Sequence, residues 1–325
     1  MLLELAASRR VLVVGGKGGV GKTAVASALA LSQARRGRRV LLVSTDPAHN
    51  LGHLWQQVVG DRGSALAPDL DGVEVDPVET TRAHLTAVGE TMRRLMPEHL
   101  AGEVDRHLAQ AQDAPGMHEA AILERVAETL DEATDSYDLC VVDTAPSGHT
   151  TRLLGLPASL STWTEGLLRR QDRAQRFTTA EHNLGEPRAE PSRAARDQEI
   201  RRVLQRRLDR FDRLRATLVD HAGTAFVVVL AAERLPVLET VELTRELRRT
   251  GVDVAAAVVN KRSPADAGAF LAGRRVQEEV HLRTLRAELP DLATIEVPLL
   301  AEDVLGHDAL VRFAAHLGGP PGPAG

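Results

Sequence analysis

The sequence predicts an α/β fold, a doubly wound and mainly parallel sheet with helical insertions that form a subdomain. Three observations predict it. Short apolar runs alternate with helical stretches along the chain, a rhythm that implies a parallel sheet covered on both faces. A glycine-rich loop, Gly15-Gly16-Lys17-Gly18-Gly19-Val20-Gly21-Lys22-Thr23, stands between the first apolar run and a helical stretch. Several later runs end on polar residues suited to chemistry, and in open α/β sheets ligands bind at the carboxyl ends of the strands.

The elements follow in order. Arg10-Val11-Leu12-Val13-Val14 reads as a buried parallel strand, and Ala24 to Ala30 as the helix whose N-terminus adds its dipole to the loop. Gly16 to Thr23 fits G-x-x-x-x-G-K-[ST], the signature of P-loop NTPases. In that pattern backbone N–H groups cradle phosphates, Lys22 reaches the β- and γ-phosphates, and the Thr23 hydroxyl binds Mg2+. Val40 to Ser44 is the second strand and delivers Thr45-Asp46-Pro47-Ala48-His49-Asn50 at its end. Leu139 to Val142 delivers Asp143-Thr144-Ala145-Pro146-Ser147-Gly148-His149-Thr150 in the same way. Ala225 to Leu230, Val254 to Val259 and Ile295 to Val297 complete the set, the last two leading into Asn260-Lys261-Arg262 and Pro298-Leu299-Leu300.

Composition narrows the function. Of the 40 Lys and Arg residues three are lysines, Lys17, Lys22 and Lys261. A background that uses Arg nearly everywhere keeps Lys where a compact ammonium is needed and a broad guanidinium fork will not fit, as inside a tight phosphate loop. Net charge is −5 and aromatic content 2%, which excludes a globally basic nucleic-acid binder and a base-stacking surface. The single cysteine, Cys140, excludes an intrachain disulfide and a Cys-x-x-Cys metal half-site, and its place in an apolar run reads as a buried strand thiol. Twelve histidines show no motif-like metal spacing with a third ligand. No signal peptide precedes the first strand and no apolar run approaches a membrane span, so a cytoplasmic location is expected.

The chain reads as a single domain over 1–325, with helical insertions at about 79–135 and 157–220 and a disordered tail over 318–325. From Arg169 to Arg215 it carries 14 Arg against 8 Asp plus Glu. Thr178 to Arg196 lacks apolar periodicity and reads as a linker or lid. Ile200, Val203, Leu204, Leu208, Phe211, Leu214 and Leu218 then keep helical spacing on one face. That helix either packs its stripe on the body with a solvated Arg face, or offers the arginines to an acidic partner or an anionic surface. Asp143 has the position of a Mg2+-associated carboxylate, with turn capping as its alternative. Asp46 either orients or deprotonates the attacking water or caps its own loop. Asn260 has the donor and acceptor that adenine requires.

These residues resemble a named group. Gly16-Lys17-Gly18-Gly19-Val20-Gly21-Lys22-Thr23 looks like the deviant phosphate loop, with its extra early lysine, of the partition, septum-site, nitrogenase-iron and arsenical-pump ATPases. Ser44 to Leu51 and Asp143 to Leu154 resemble the branch of arsenical-pump and tail-anchored-protein targeting ATPases more specifically. Glu74-Val75-Asp76-Pro77, Pro115 to Ala120, Val258 to Lys261 and Pro298 to Gly306 support the likeness. The resemblance implies an ATP-hydrolysing homodimer that uses ATP and Mg2+ and acts on a protein client; a heterodimer with a paralogue stays open. It implies that Gly16 to Ala24 bind the nucleotide, that Lys22 and Thr23 act within the subunit, and that Lys17 reaches the partner's nucleotide. Asp46, Pro47 and Asn50 would belong to a first switch, and Asp143, Pro146, Gly148 and His149 to a second. Thr23 and Asp143 would hold Mg2+, directly or through water, while Asn260, Pro298 and Leu299 would hold adenine. The sequence departs from its relatives in lacking metalloid-binding cysteines and the zinc-binding Cys-x-x-Cys, so no zinc is expected. Two other outputs stay open: a nucleotide-gated surface scaffold of partition or septum-site type, and the ATPase subunit of an anion or arsenite efflux system.

Overall fold

The computed structural model describes residues 1–46, 50–95, 116–144 and 191–318, together with 102, 105–106 and 109. Pro47, His49, Pro146, Gly148, His149, the linker residues 178–190 and the tail beyond Gly318 lie outside the described residues. The elements in chain order are α1 (Leu2–Ala7), β1 (Val11–Gly16), α2 (Lys22–Ala34), β2 (Val40–Ser44), α3 (Asn50–Trp55), β3 (Ser64–Ala67), β4 (Leu70–Glu74) and α4 (Pro77–Leu95). There follow α5 (Met117–Ala133), β5 (Leu139–Asp143), α6 (Pro191–Val219), β6 (Thr224–Ala231), α7 (Arg234–Arg249), β7 (Val254–Arg262), α8 (Ala269–Glu288), β8 (Ala293–Pro298) and α9 (Gly306–Ala315).

The strands form one sheet in the order β3-β4-β2-β5-β1-β6-β7-β8. Every neighbouring pair is parallel except β3 with β4. Sequence reasoning gives the α/β class and the parallel sheet; it misses the β3–β4 hairpin and α1, whose short runs carry too little periodicity. β1 is buried along its whole length, as the middle strand of a doubly covered sheet must be, and its residues are almost purely β-branched or small. With so few aromatic rings in the sequence the core is mainly aliphatic, built on Leu12, Val14, Leu29, Leu42, Val141, Val227 and Val258, with Trp55 and Phe313 among them. Gly16 shows how tightly β1 and β6 approach: at φ +142°, an added Cβ would lie 2.1 Å from the Val229 carbonyl oxygen.

The chain divides into two compact units, Met1–Asp76 with Thr129–Leu154 and Thr217–Gly325, and Pro77–Glu128 with Gly155–Ala216. The second contains α4 and most of α5 and α6. There Leu208, Phe211 and Leu214 are buried, in agreement with the apolar stripe. Glu124 of α5 meets His84 at 2.9 Å and Arg207 at 3.1 Å, while Arg210 pairs with Glu128 at 2.7 Å. Burial pushes the Glu124 carboxyl up, but the His84 hydrogen bond and the guanidinium groups of Arg207 and Arg210 outweigh it and hold the group below its ordinary value.

Three sequence expectations need correction. Residues 191–196 belong to α6, which Pro191 opens at a position where a missing N–H costs nothing. β7 runs through Arg262, so Asn260 and Lys261 lie inside the strand. Gly318, expected to open the tail, closes a 3-10 turn at His316–Gly318, and its carbonyl accepts from the Met1 amino group at 3.3 Å.

One buried charge organises the far side of the sheet. Arg262 is 1% exposed and donates to Glu278 at 2.6 Å, Glu279 at 3.1 Å and Glu296 at 2.8 Å, joining β7, α8 and β8. Removing one partner from a buried pair leaves an uncompensated charge, at a cost of about 3–5 kcal/mol. Arg262→Ala is therefore expected to destabilise the protein by about that amount. Arg262→Lys is expected to rescue only part, since an ammonium cannot fork to three carboxylates. Thermal melting of both variants checks the ranking.

Candidate functional site

The carboxyl ends of β1, β2, β5 and β7 converge on the loop between β1 and α2. Sheet order explains the meeting: β5 lies between β1 and β2, so Asp143 at its end faces both the loop and Ser44. The Thr23 hydroxyl donates to Asp143 Oδ2 at 2.7 Å, and the Ser44 hydroxyl approaches the same oxygen at 3.4 Å. Asp143 is fully buried, and burial above all pushes its carboxyl up to about 7; Thr23 and Lys22 oppose the rise. Its other oxygen, Oδ1, is buried without a hydrogen-bond partner among the described residues.

That orphaned oxygen bears on Mg2+, which is a hard cation and takes oxygen ligands. A threonine hydroxyl and a carboxylate with an unused oxygen, side by side, fit such an ion. Thr23 and Asp143, assigned to the metal from the sequence, are brought together.

Lys22 opens α2 and is 4% exposed. Burial lowers its pKa, while Asp143 and Asp46 act to raise it. Its ammonium donates to the Lys17 carbonyl at 3.1 Å, which closes the loop upon itself. Gly21 caps the helix at φ +93°, a backbone that L-residues avoid, and an added Cβ would lie 2.4 Å from the Asn260 amide nitrogen. The stretch Gly16, Lys17, Gly18, Gly19, Val20, Gly21, Lys22, Thr23 and Ala24 thus runs from the end of β1 into the first turn of α2.

Asp46 is buried two residues beyond the end of β2. Its backbone N–H donates weakly to the Ser44 hydroxyl at 3.4 Å, and Asn50 donates to its Oδ2 at 3.3 Å. Asn50 begins α3, whose Leu51 N–H donates to the buried Glu74 carboxylate at 2.9 Å. Trp55, at the other end of α3, donates to the Ser27 hydroxyl of α2 at 3.1 Å, which ties this helix to the one that carries the loop.

The adenine candidates are also neighbours. β7 pairs with β8 so that Arg262 stands opposite Pro298, and the Leu299 N–H donates to the Arg262 carbonyl at 2.8 Å. Leu299 is 45% exposed, while Asn260 is buried and donates to the Val20 carbonyl at 2.8 Å. Lys17 forms an ion pair with Glu239 of α7 at 3.0 Å, the two side chains 39% and 40% exposed.

Sequence reasoning missed Ser44 as a partner of Asp143, Glu74 as the anchor of α3, and Glu239 beside Lys17. Ser44 and Glu74 lie within motifs already singled out; Glu239 sits in an ordinary helical pattern and sends no local signal.

Comparison with known proteins agrees with this geometry. The family model described as anion-transporting ATPase matches residues 9–319. The chain is 29% identical over 310 residues to "Putative arsenical pump-driving ATPase 2" of Aquifex aeolicus (strain VF5), covering 95% of this chain and 99% of that protein. It is 31% identical over 324 residues to "ATPase GET3" of Chaetomium globosum, covering 95% and 90%. It is 29% identical over 309 residues to "ATPase ASNA1 homolog 1" of Paramecium tetraurelia, covering 93% and 90%. A phosphate loop with its buried Thr23–Asp143 contact and a family match over nearly the whole length lead to one conclusion: the chain is an ATP-hydrolysing member of the anion-transporting ATPase family.

Proposed function

We propose that this ATPase acts as a dimer, of two identical subunits or of paralogues, that closes around ATP and couples closure to the binding or delivery of a protein client. The observation that carries the reading is the Thr23–Asp143 contact. Asp143 touches the phosphate loop at 2.7 Å and is also the first residue of the second switch segment, so a change at the phosphates is felt where that segment begins.

The residues take these roles. Backbone N–H groups from Gly16 to Ala24 cradle the phosphates, and Lys22 neutralises charge that spreads onto them in the transition state. Thr23 and Asp143 hold Mg2+, which when bound screens the phosphate oxygens. Asp46 orients the attacking water or takes its proton. Asn260, Pro298 and Leu299 hold adenine. Lys17 serves the partner's nucleotide. Its ion pair with Glu239 is half-exposed, and such pairs contribute only about 0–1 kcal/mol, weak enough to be exchanged for a phosphate on closure.

A client reading is favoured over metalloid efflux by the cysteine count. Cys140 stands alone in the sequence, buried in β5, and burial pushes its thiol up to about 12, so it offers no thiolate to a metalloid. The Arg-rich segment 169–215 remains a candidate contact for an acidic partner or an anionic surface.

Lys22→Ala is expected to abolish hydrolysis and weaken ATP binding, whereas Asp46→Asn is expected to bind ATP normally and turn it over about 100-fold or more slowly. Parallel nucleotide titrations and phosphate-release assays check both, and equal losses of binding and turnover in Asp46→Asn would reduce Asp46 to a loop cap. The Asp46→Asn protein then supplies the ATP-held state for capture from lysate. Proteins retained only in that state support the client reading; retention on liposomes or DNA with no protein recovered replaces it with the surface-scaffold reading.

Lys17→Ala alone and Lys22→Ala alone are both expected to be nearly inactive, yet a mixture should regain activity. In the mixed dimer the Lys17→Ala subunit keeps its own Lys22 and receives an intact Lys17 from its partner. Phosphate release that stays at the sum of the separate variants, with mixed dimers demonstrated, removes Lys17 from the trans role.

A further inference from the structure

Adjacent residues of β7 hold adjacent carbonyls of the phosphate loop. Asn260 donates to the Val20 carbonyl at 2.8 Å, and the Lys261 ammonium donates to the Gly19 carbonyl at 3.0 Å. Successive side chains of a regular strand point to opposite faces, so a regular β7 could not send both toward the loop. The strand is not regular there. Its register against β8 shifts between Val259 and Arg262, and Lys261 has φ +57°, the left-handed region that a lysine enters only at a cost. The irregularity aims Asn260 and Lys261 at the loop while Arg262 turns into its buried cluster of carboxylates.

The consequence follows from the planarity of the peptide bond. In a trans peptide the C=O and N–H point to opposite sides. A donor holding the Gly19 carbonyl therefore directs the Val20 N–H the other way, and a donor holding the Val20 carbonyl does the same for the Gly21 N–H. Successive N–H groups turned to one side form the concave nest that binds anions. We propose that Asn260 and Lys261 are positioning residues that clamp the Gly19–Val20 and Val20–Gly21 peptides, setting the loop's N–H groups for phosphate before the nucleotide arrives. This rests on the reading of the loop as the ATP site. Asn260 can keep its place beside adenine, since its amide oxygen is not used in the clamp. Lys261 acts through the loop, without touching the nucleotide.

The left-handed backbone supplies a discriminating variant. Lys261→Gly removes the ammonium and also relieves the strain at φ +57°, so the nucleotide-free protein is expected to melt at or above the wild-type temperature. MgATP and MgADP should nevertheless bind about tenfold more weakly, the loss expected for one charge-assisted hydrogen bond. Lys261→Arg keeps a cationic donor but brings a guanidinium too broad for this narrow place, and should recover only part of that affinity. A merely structural role predicts the reverse for the glycine variant, since relief of strain would leave binding equal or better. Unchanged MgATP affinity in Lys261→Gly, measured beside a wild type that binds and a Lys22→Ala protein that binds more weakly, overturns the clamp while the ATP site stands. Failure of the wild type itself to bind MgATP overturns the site reading instead. Amide hydrogen exchange over residues 18–21 in the absence of nucleotide gives a second measure: faster exchange in Lys261→Gly supports the clamp, and identical exchange counts against it.

Discussion

The site depends on a carboxylate kept where water cannot solvate it. Asp143 closes β5 in the middle of the sheet and is fully buried, with Thr23, Ser44 and Lys22 as its polar surroundings. Burying a charge is costly unless it is matched, and the match here is distributed: a hydroxyl from the loop, a weaker one from β2, and the buried ammonium that begins α2. The same burial that raises Asp143 lowers Lys22, so each disfavours its own charge while favouring the other's. Their positions rest on the strand order. If β5 did not separate β1 from β2, Asp143 could not meet the loop and Ser44 together.

Much of this framework was legible in the sequence because it depends on local pattern. β-branched runs mark strands that are buried on both faces, and a glycine loop between strand and helix leaves few conformations open. Thr23 and Asp143 could be assigned because each sits at the end of such an element. Partnerships across the fold were not legible. That Lys17 pairs with Glu239, or that Arg262 lies buried among three glutamates, depends on side chains distant in sequence meeting in space, and no local period reports that. Asn260 was legible as a residue of the rim, but its bond to Val20 follows from an irregularity in β7 that propensities do not reveal.

The near-exclusion of lysine takes on meaning once the three ammoniums are placed. Lys22 donates to the carbonyl of Lys17, Lys261 to that of Gly19, and Lys17 to Glu239. Each is a narrow donor used against a tightly curved loop or beside it. Arginines appear where a wide fork is wanted, as when Arg262 reaches three carboxylates or Arg210 meets Glu128 in the helical unit. The two cations divide the molecule between them by shape.

The outer margin beyond β4 carries a different consequence. β3 is brief, lies antiparallel to β4, and slips register between Ala65 and Ala67. Without it the parallel sheet would end on β4, presenting a row of unpaired backbone groups to any extended chain nearby. A short, irregular final strand is a poor template for further pairing. The hairpin that sequence periodicity overlooked therefore protects the folded molecule against edge-to-edge aggregation on that side.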